Sequence, residues 1–260
     1  MLAFSISTII LLFALLYFMQ ERLLFFPSKL PKNYTYHFSE VFEEVNLEVA
    51  KNIHINALLF KTNQQESKGV LLFLHGNGGA IHGWGTGAGL YTGQGYDVFY
   101  VDYRGYGKSD GKIKSENQLV EDAQIAYDYL KKHYAENTII VSGTSMGTGI
   151  AAQIAAQNQP LKLLLNSPYF SLQSLILEKV KVIPNFLIKY KFKTFQHFQQ
   201  VKCPITIFHG DKDTVIPHSH SLQLEEKYPH IKLYLIEGAG HNDLINSKEY
   251  DFNMKAILSI

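Results

Sequence analysis

The chain has 260 residues, of which 46% are hydrophobic and 18% charged, and a formal net charge of +1. A chain of this length and apolar content can bury a full core, which excludes a disordered segment or a mini-domain. Near-neutral charge lacks the basic footprint of a phosphate-backbone binder, so no nucleic-acid partner is expected.

The first segment, Met1 to Met19, contains no charged residue and no Gly or Pro. As helix, these 19 residues reach about 28 Å, close to the roughly 30 Å hydrocarbon core of a bilayer. No Lys or Arg precedes Arg22, and bulky Tyr17-Phe18-Met19 fills the place where a leader would be cut. The segment therefore reads as a single-pass N-terminal membrane anchor over residues 1–22, with the membrane as a partner. Arg22, Lys29 and Lys32 follow it and lean the domain toward the cytoplasm without fixing its side.

Residues 23–260 read as one domain, with no repeat or linker to divide them. Val45, Leu47 and Val49 alternate with polar residues, and Ile53 to Phe60 follows a Lys51-Asn52 turn, which predicts an antiparallel opening pair. The next apolar runs are short and continuous: Val70–Leu74, Val98–Val101, Thr138–Val141, Leu161–Leu165, Ile205–Phe208 and Lys232–Ile236. Such runs are strands buried on both faces. Helix-length stretches separate them, namely Ser115–Tyr134, Met146–Gln157, Ser219–Tyr228 and Ser247–Ile260. The alternation predicts an α/β fold: a mostly parallel sheet with helices on both faces. Residues 171–202 fit no strand and predict a small helical cap, with six lysines, no acidic residue and five aromatics from Lys179 to Lys202.

The chemistry lies in the loops that follow these strands. Gly143-Thr144-Ser145-Met146-Gly147 joins an apolar strand to an Ala-rich helix, the strand-turn-helix setting of a nucleophile elbow. Ser145 needs a base and a group to orient it, expected in the order serine, acid, histidine. His209-Gly210-Asp211-Lys212-Asp213 follows one strand and Gly238-Ala239-Gly240-His241 the next, so Asp213 and His241 are the candidate partners, with Asp211 and Asp243 competing for the acid. His75-Gly76-Asn77-Gly78-Gly79 follows Leu74 and has the small residues of an oxyanion hole, for which the backbone N–H groups of Asn77 and Met146 are expected. His75 reads as a structural hydrogen-bonding group.

Other motifs carry less. Gly83-Trp84-Gly85-Thr86-Gly87-Ala88 starts too far from its strand for a dinucleotide fingerprint, and Gly107-Lys108-Ser109 has Asp102 where a phosphate loop needs glycine. His218 and His220 lack metal-ligand companions and read as solvated histidines at a helix start. The expected chemistry needs no metal and no organic cofactor.

Taken together, these residues resemble the α/β-hydrolase superfamily, in its membrane-anchored branch of protein depalmitoylases and serine-aminopeptidase-like hydrolases. Asp102-Tyr103-Arg104-Gly105-Tyr106-Gly107 is similar to a signature of that branch, as are Phe26-Pro27-Ser28, Asn166-Ser167-Pro168-Tyr169, Cys203-Pro204, Val215-Ile216-Pro217 and His241-Asn242-Asp243. The loop at Gly79-Ala80 departs from the branch's usual Asn-Ala-Gly-Asn form. The resemblance implies an α/β-hydrolase fold and a serine hydrolase that cleaves ester or thioester bonds of a lipid or an acylated protein. A serine peptidase, and a non-catalytic binding protein on the same fold, are the alternatives.

Overall fold

The computed structural model describes the backbone over residues 2–259 and the side chains of Thr8 and residues 11–259. Met1 and Ile260, the outer ends of the expected anchor and last helix, lie outside the described residues. In chain order, helix α1 (Leu2–Leu24) leads into strand β1 (Phe26–Pro27), and β2 (Phe42–Ala50) and β3 (Ile53–Phe60) precede β4 (Val70–Leu74). Then come β5 (Gly78–Gly79), α2 (Ile81–Trp84), α3 (Ala88–Thr92), β6 (Asp97–Val101), α4 (Glu116–Lys131), β7 (Ile139–Thr144), α5 (Gly147–Gln157) and β8 (Lys162–Asn166). The chain closes with α6 (Leu172–Lys179), α7 (Thr194–His197), β9 (Ile205–Gly210), α8 (Ser219–Lys227), β10 (Lys232–Ile236) and α9 (Lys248–Leu258).

The central sheet has eight strands in the order β10-β9-β8-β7-β4-β6-β3-β2. From β10 to β6 every pair is parallel, while β3 pairs antiparallel with both β6 and β2. Every residue of β4 and β6 is buried, as continuous Val, Leu, Phe and Tyr runs require when helices cover both faces. One core layer packs Leu119, Ala123 and Tyr127 of α4 and Ile150 and Ile154 of α5 against the sheet. The other packs Tyr91 of α3 and Tyr250, Met254 and Leu258 of α9. Ser115 begins α4 by accepting the Gln118 N–H through its hydroxyl at 3.1 Å.

The chain leaves β4 for β6 on one side and later reaches β7 on the other, so the strand order reverses at β4. Open α/β sheets bind ligands beyond the strand C-termini at such a point. The loops after β4 and β7, which carry Asn77 and Ser145, face each other there.

The expected anchor is corrected in one respect. Residues 2–22 of that segment do fall on a helix, but among the described residues no helix is long and apolar enough to cross a membrane, and a single-pass anchor is not supported. The last turns of α1 instead dock on the cap. Gln20 Nε2 donates to the Leu187 carbonyl at 2.7 Å, Lys189 N donates to Gln20 Oε1 at 2.9 Å, and Tyr190 Oη donates to a Glu21 oxygen at 3.0 Å. The cap aromatics Tyr190, Phe192 and Phe198 are buried, whereas Phe186 is 78% exposed.

Candidate active site

Ser145 has φ +53°, a left-handed conformation that costs a side chain on the order of 1–3 kcal/mol and persists only when its surroundings enforce it. The enforcement is local. Ser145 N donates to the Asn166 carbonyl at 2.9 Å, while its own carbonyl accepts Thr148 N at 3.0 Å and Thr148 Oγ1 at 2.6 Å. A Cβ at Gly147 would collide with the Leu74 carbonyl oxygen, and one at Gly143 would stand 2.7 Å from the Gly147 carbonyl oxygen. Only glycine on both sides lets β7, α5 and the end of β4 approach this closely.

The sheet brings the three sequence candidates into one hydrogen-bonded chain. Ser145 Oγ is 3.0 Å from His241 Nε2, and His241 Nδ1 is 2.6 Å from Asp213 Oδ2. Burial pushes the Asp213 carboxyl up, but hydrogen bonds from His209, His241 and the Ile216 N–H, with the nearby His241 ring, outweigh it and hold the group far below the usual carboxylate range. An ionised Asp213 only accepts, so Nδ1 of His241 carries the proton and Nε2 is left to accept from the Ser145 hydroxyl. Val215 N and Ile216 N donate to Asp213 Oδ1 at 2.9 and 2.8 Å, which leaves Oδ2 aimed at the imidazole.

The competing carboxylates serve the loop that carries His241. Asp211 Oδ1 accepts Gly238 N at 2.7 Å and Asp243 Oδ1 accepts Gly240 N at 2.6 Å. His75 is fully buried, donates through Nδ1 to the Gly76 carbonyl at 2.7 Å, and lies 3.3 Å from Asp102 through Nε2. It packs against Trp84, Tyr103 and Tyr106, away from the Ser145 hydroxyl.

His220 corrects its expectation: it is buried rather than solvated. Its Nδ1 accepts Phe170 N at 3.2 Å and its Nε2 lies 3.2 Å from Glu178. Burial lowers its pKa, in keeping with a neutral ring whose Nδ1 is an acceptor.

Two cavities meet at Ser145. One, of about 550 Å³, is walled by apolar side chains of α1 and the cap, and Asn77, Met146 and Ser145 lie on its lining. The other, of about 180 Å³, is bounded by Thr144, Ser167, His241 and Asn242. No sequence pattern signals that α1 walls the first cavity, nor that His209 supports Asp213. Those contacts join residues more than a hundred positions apart or lie inside a strand end read only for its apolar part.

The family described as serine aminopeptidase, S33, matches residues 65–197, about half of the chain. This chain belongs to that family. The chain is also similar to alpha/beta hydrolase domain-containing protein 17C of Xenopus laevis, at 32% identity over 204 residues that cover 74% of the chain and 62% of the frog protein. Human alpha/beta hydrolase domain-containing protein 17B matches at 30% identity, covering 78% of the chain and 70% of that protein. The chain thus spans less than two thirds of the frog relative's length.

Among solved structures, an esterase of Pyrococcus furiosus superposes with a TM-score of 0.69 at 19% identity, covering 91% of the chain and 96% of the esterase. Est1E from Butyrivibrio proteoclasticus, with ferulic acid bound, gives a TM-score of 0.65 at 20% identity, covering 83% of the chain and 96% of Est1E. The fold is the α/β-hydrolase fold expected from the sequence.

Proposed function

We propose that this hydrolase cleaves acyl ester or thioester bonds with Ser145 as nucleophile, His241 as general base and acid, and Asp213 as the group that orients the imidazole. The hydrogen-bonded chain from Asp213 through His241 to Ser145, opening onto an apolar cavity, carries this reading. Ser145 Oγ attacks the acyl carbonyl as its proton passes to His241 Nε2, and Asp213 stabilises the imidazolium that forms. The N–H groups of Asn77 and Met146 are assigned to the oxyanion. Their place beside Ser145 on the cavity lining supports this, and each such donor contributes about 3 kcal/mol in comparable sites. His241 then protonates the leaving alcohol or thiol, and a water deprotonated by the same ring cleaves the acyl-enzyme.

The leaving group fits the smaller cavity, because His241 stands on its wall. The acyl group then takes the apolar one. A peptidase that trims amino termini would need a carboxylate to hold the substrate ammonium, and among the described residues that line the two cavities there is no Asp or Glu. This favours acyl esters and thioesters over peptides, in line with the resemblance to depalmitoylases.

Membrane association is proposed through the outer face of α1. Leu11, Leu12, Leu15 and Phe18 recur at helical spacing and are exposed, Phe18 to 75%, which suits a helix lying in the interface rather than spanning it.

An alkyl fluorophosphonate, which phosphonylates an activated serine, tests the enzyme reading. Labelling of the wild type that disappears in Ser145→Ala supports it; a folded wild type that takes no label supports a non-catalytic binding protein.

A further inference from the structure

Helix α1 carries two apolar faces. Leu11, Leu12, Leu15 and Phe18 point outward, whereas Leu16, Gln20, Leu23 and Leu24 line the cavity at Ser145. Both sets recur three and four residues apart, so they occupy separate stripes of one helix. The inner stripe faces Leu172, Ile176 and Ile183 of the cap across the cavity. Without α1 that cavity would be an open trough beside the nucleophile.

The contacts that seat this wall are specific. Gln20, only 7% exposed, is engaged at both ends of its amide by the cap backbone, donating to Leu187 O and accepting Lys189 N. The chain after α1 is tied to the loop that carries Asn77: Asn77 Nδ2 donates to the Leu24 carbonyl at 3.1 Å, and Phe26 N donates to the Asn77 carbonyl at 2.9 Å. The same few residues thus close the cavity and hold the loop next to the reacting carbonyl.

We propose that α1 is the specificity-determining wall of the acyl site, and that a long, unbranched aliphatic acyl chain lies between Leu16 of α1 and Ile176 of the cap, its carbonyl at Ser145. This deepens the proposed function and rests on Ser145 as the nucleophile. A methylene fills about the volume of a water molecule, roughly 30 Å³. A cavity of about 550 Å³ therefore has room for at most about eighteen carbons at that volume each. The mostly apolar walls give selectivity, because each buried methylene is worth about a fourfold gain in binding.

The test compares kcat/KM for p-nitrophenyl acetate, butyrate, octanoate, dodecanoate, hexadecanoate and eicosanoate in the full chain, for wild type, Leu16→Trp and Leu16→Ala. In wild type the rate constant should rise from acetate to dodecanoate. Leu16→Trp, which fills the cavity from the α1 side, should lower the dodecanoate-to-acetate ratio at least tenfold, while Leu16→Ala should shift the optimum toward longer chains. Leu16→Ala keeps the proposal testable if the tryptophan variant does not fold. Ratios equal to wild type in the folded variants would overturn it.

Binding of free dodecanoate to Ser145→Ala, read by thermal shift, separates the two ideas. Binding that weakens when Leu16→Trp is added, in a protein whose wild type hydrolyses no ester, keeps the acyl wall and defeats the nucleophile. No binding to Ser145→Ala, or binding indifferent to Leu16→Trp, defeats the wall.

Discussion

His209 Nε2 lies 3.3 Å from Asp213 Oδ2, the same oxygen that faces His241 Nδ1. His209 is fully buried, and its nearer partner on that side is the Ile216 carbonyl at 2.8 Å, so Nε2 carries a hydrogen. Its Nδ1 then accepts from Ser221 Oγ at 2.6 Å. Asp213 is thereby fixed by a second ring behind it, and that ring is fixed in turn by α8.

Replacing His209 with leucine removes both anchors at once. The Ile216 carbonyl and the Ser221 hydroxyl lose their partner, and each orphaned buried polar group costs about 1–3 kcal/mol. His209→Leu should lower the unfolding free energy by about 2–6 kcal/mol on that account, read as a shifted midpoint in urea. A midpoint equal to wild type would mean that these bonds do not hold the loop.

Asp213 sets a pH signature. Its folded-state pKa lies below the unfolded carboxylate value of about 3.9 because His209, His241 and the Ile216 N–H stabilise the ion against the opposing effect of burial. A depressed pKa contributes stability that is fully present above the unfolded value and is lost as pH falls toward the folded one. Asp213→Asn should therefore melt below wild type at pH 7 and 5, with the gap narrowing by pH 3. A gap that widened on acidification would contradict this. The same variant should lose on the order of 10⁴ in kcat, since an amide no longer holds the productive tautomer.

Gly147→Ala tests the elbow by geometry alone. The new methyl would strike the Leu74 carbonyl, and the backbone shift that relieves it displaces Ser145 from His241. A misplacement of about 1 Å can cost on the order of 100-fold in rate, so the second-order rate of fluorophosphonate labelling should fall by about that factor. Labelling at the wild-type rate would place the nucleophile elsewhere.

Arg104 tests the part of the Asp-Tyr-Arg-Gly-Tyr-Gly segment that does no chemistry. Its guanidinium donates to Asp122 of α4 through Nε at 2.7 Å and a second nitrogen at 2.6 Å, with both side chains largely buried. Asp122→Ala leaves that guanidinium unpaired and should destabilise the chain by about 3–5 kcal/mol in chemical denaturation. The cost to activity should track the fraction unfolded.

The apolar interior of the sheet was readable because Val70–Leu74 and the runs like it are buried on both faces, which favours unbroken apolar runs. The polar ends of the same strands were not. β7 continues through Ser142, Gly143 and Thr144, and β9 through His209 and Gly210; the ladder hydrogen bonds that extend them leave no hydrophobic trace. Ser145, Asp213 and His241 were found by their order and by the loops they follow, and the structure brings them within hydrogen-bonding distance. Asp211 and Asp243 compete with Asp213 in the sequence, and in the structure they accept the Gly238 and Gly240 N–H groups while Asp213 faces the imidazole.

The long-range contacts were silent for a different reason. Residues 1–19 carry no charge, so their composition matched a bilayer span and could not show which stripe faces the cap. The two-residue β1–β5 pairing, Phe26 with Gly78 and Pro27 with Gly79, is too short for any periodicity. His220 looked solvated because it opens a helix, yet the cap folds over it.

Acid-quenched turnover with a slow acyl ester or thioester, followed by mass spectrometry of the peptide that contains Ser145, tests the central claim most directly. The predicted result is one acyl group added to Ser145 during turnover and absent in Ser145→Ala. Turnover with no adduct at Ser145, or with the acyl group on another side chain such as Cys203, would contradict it.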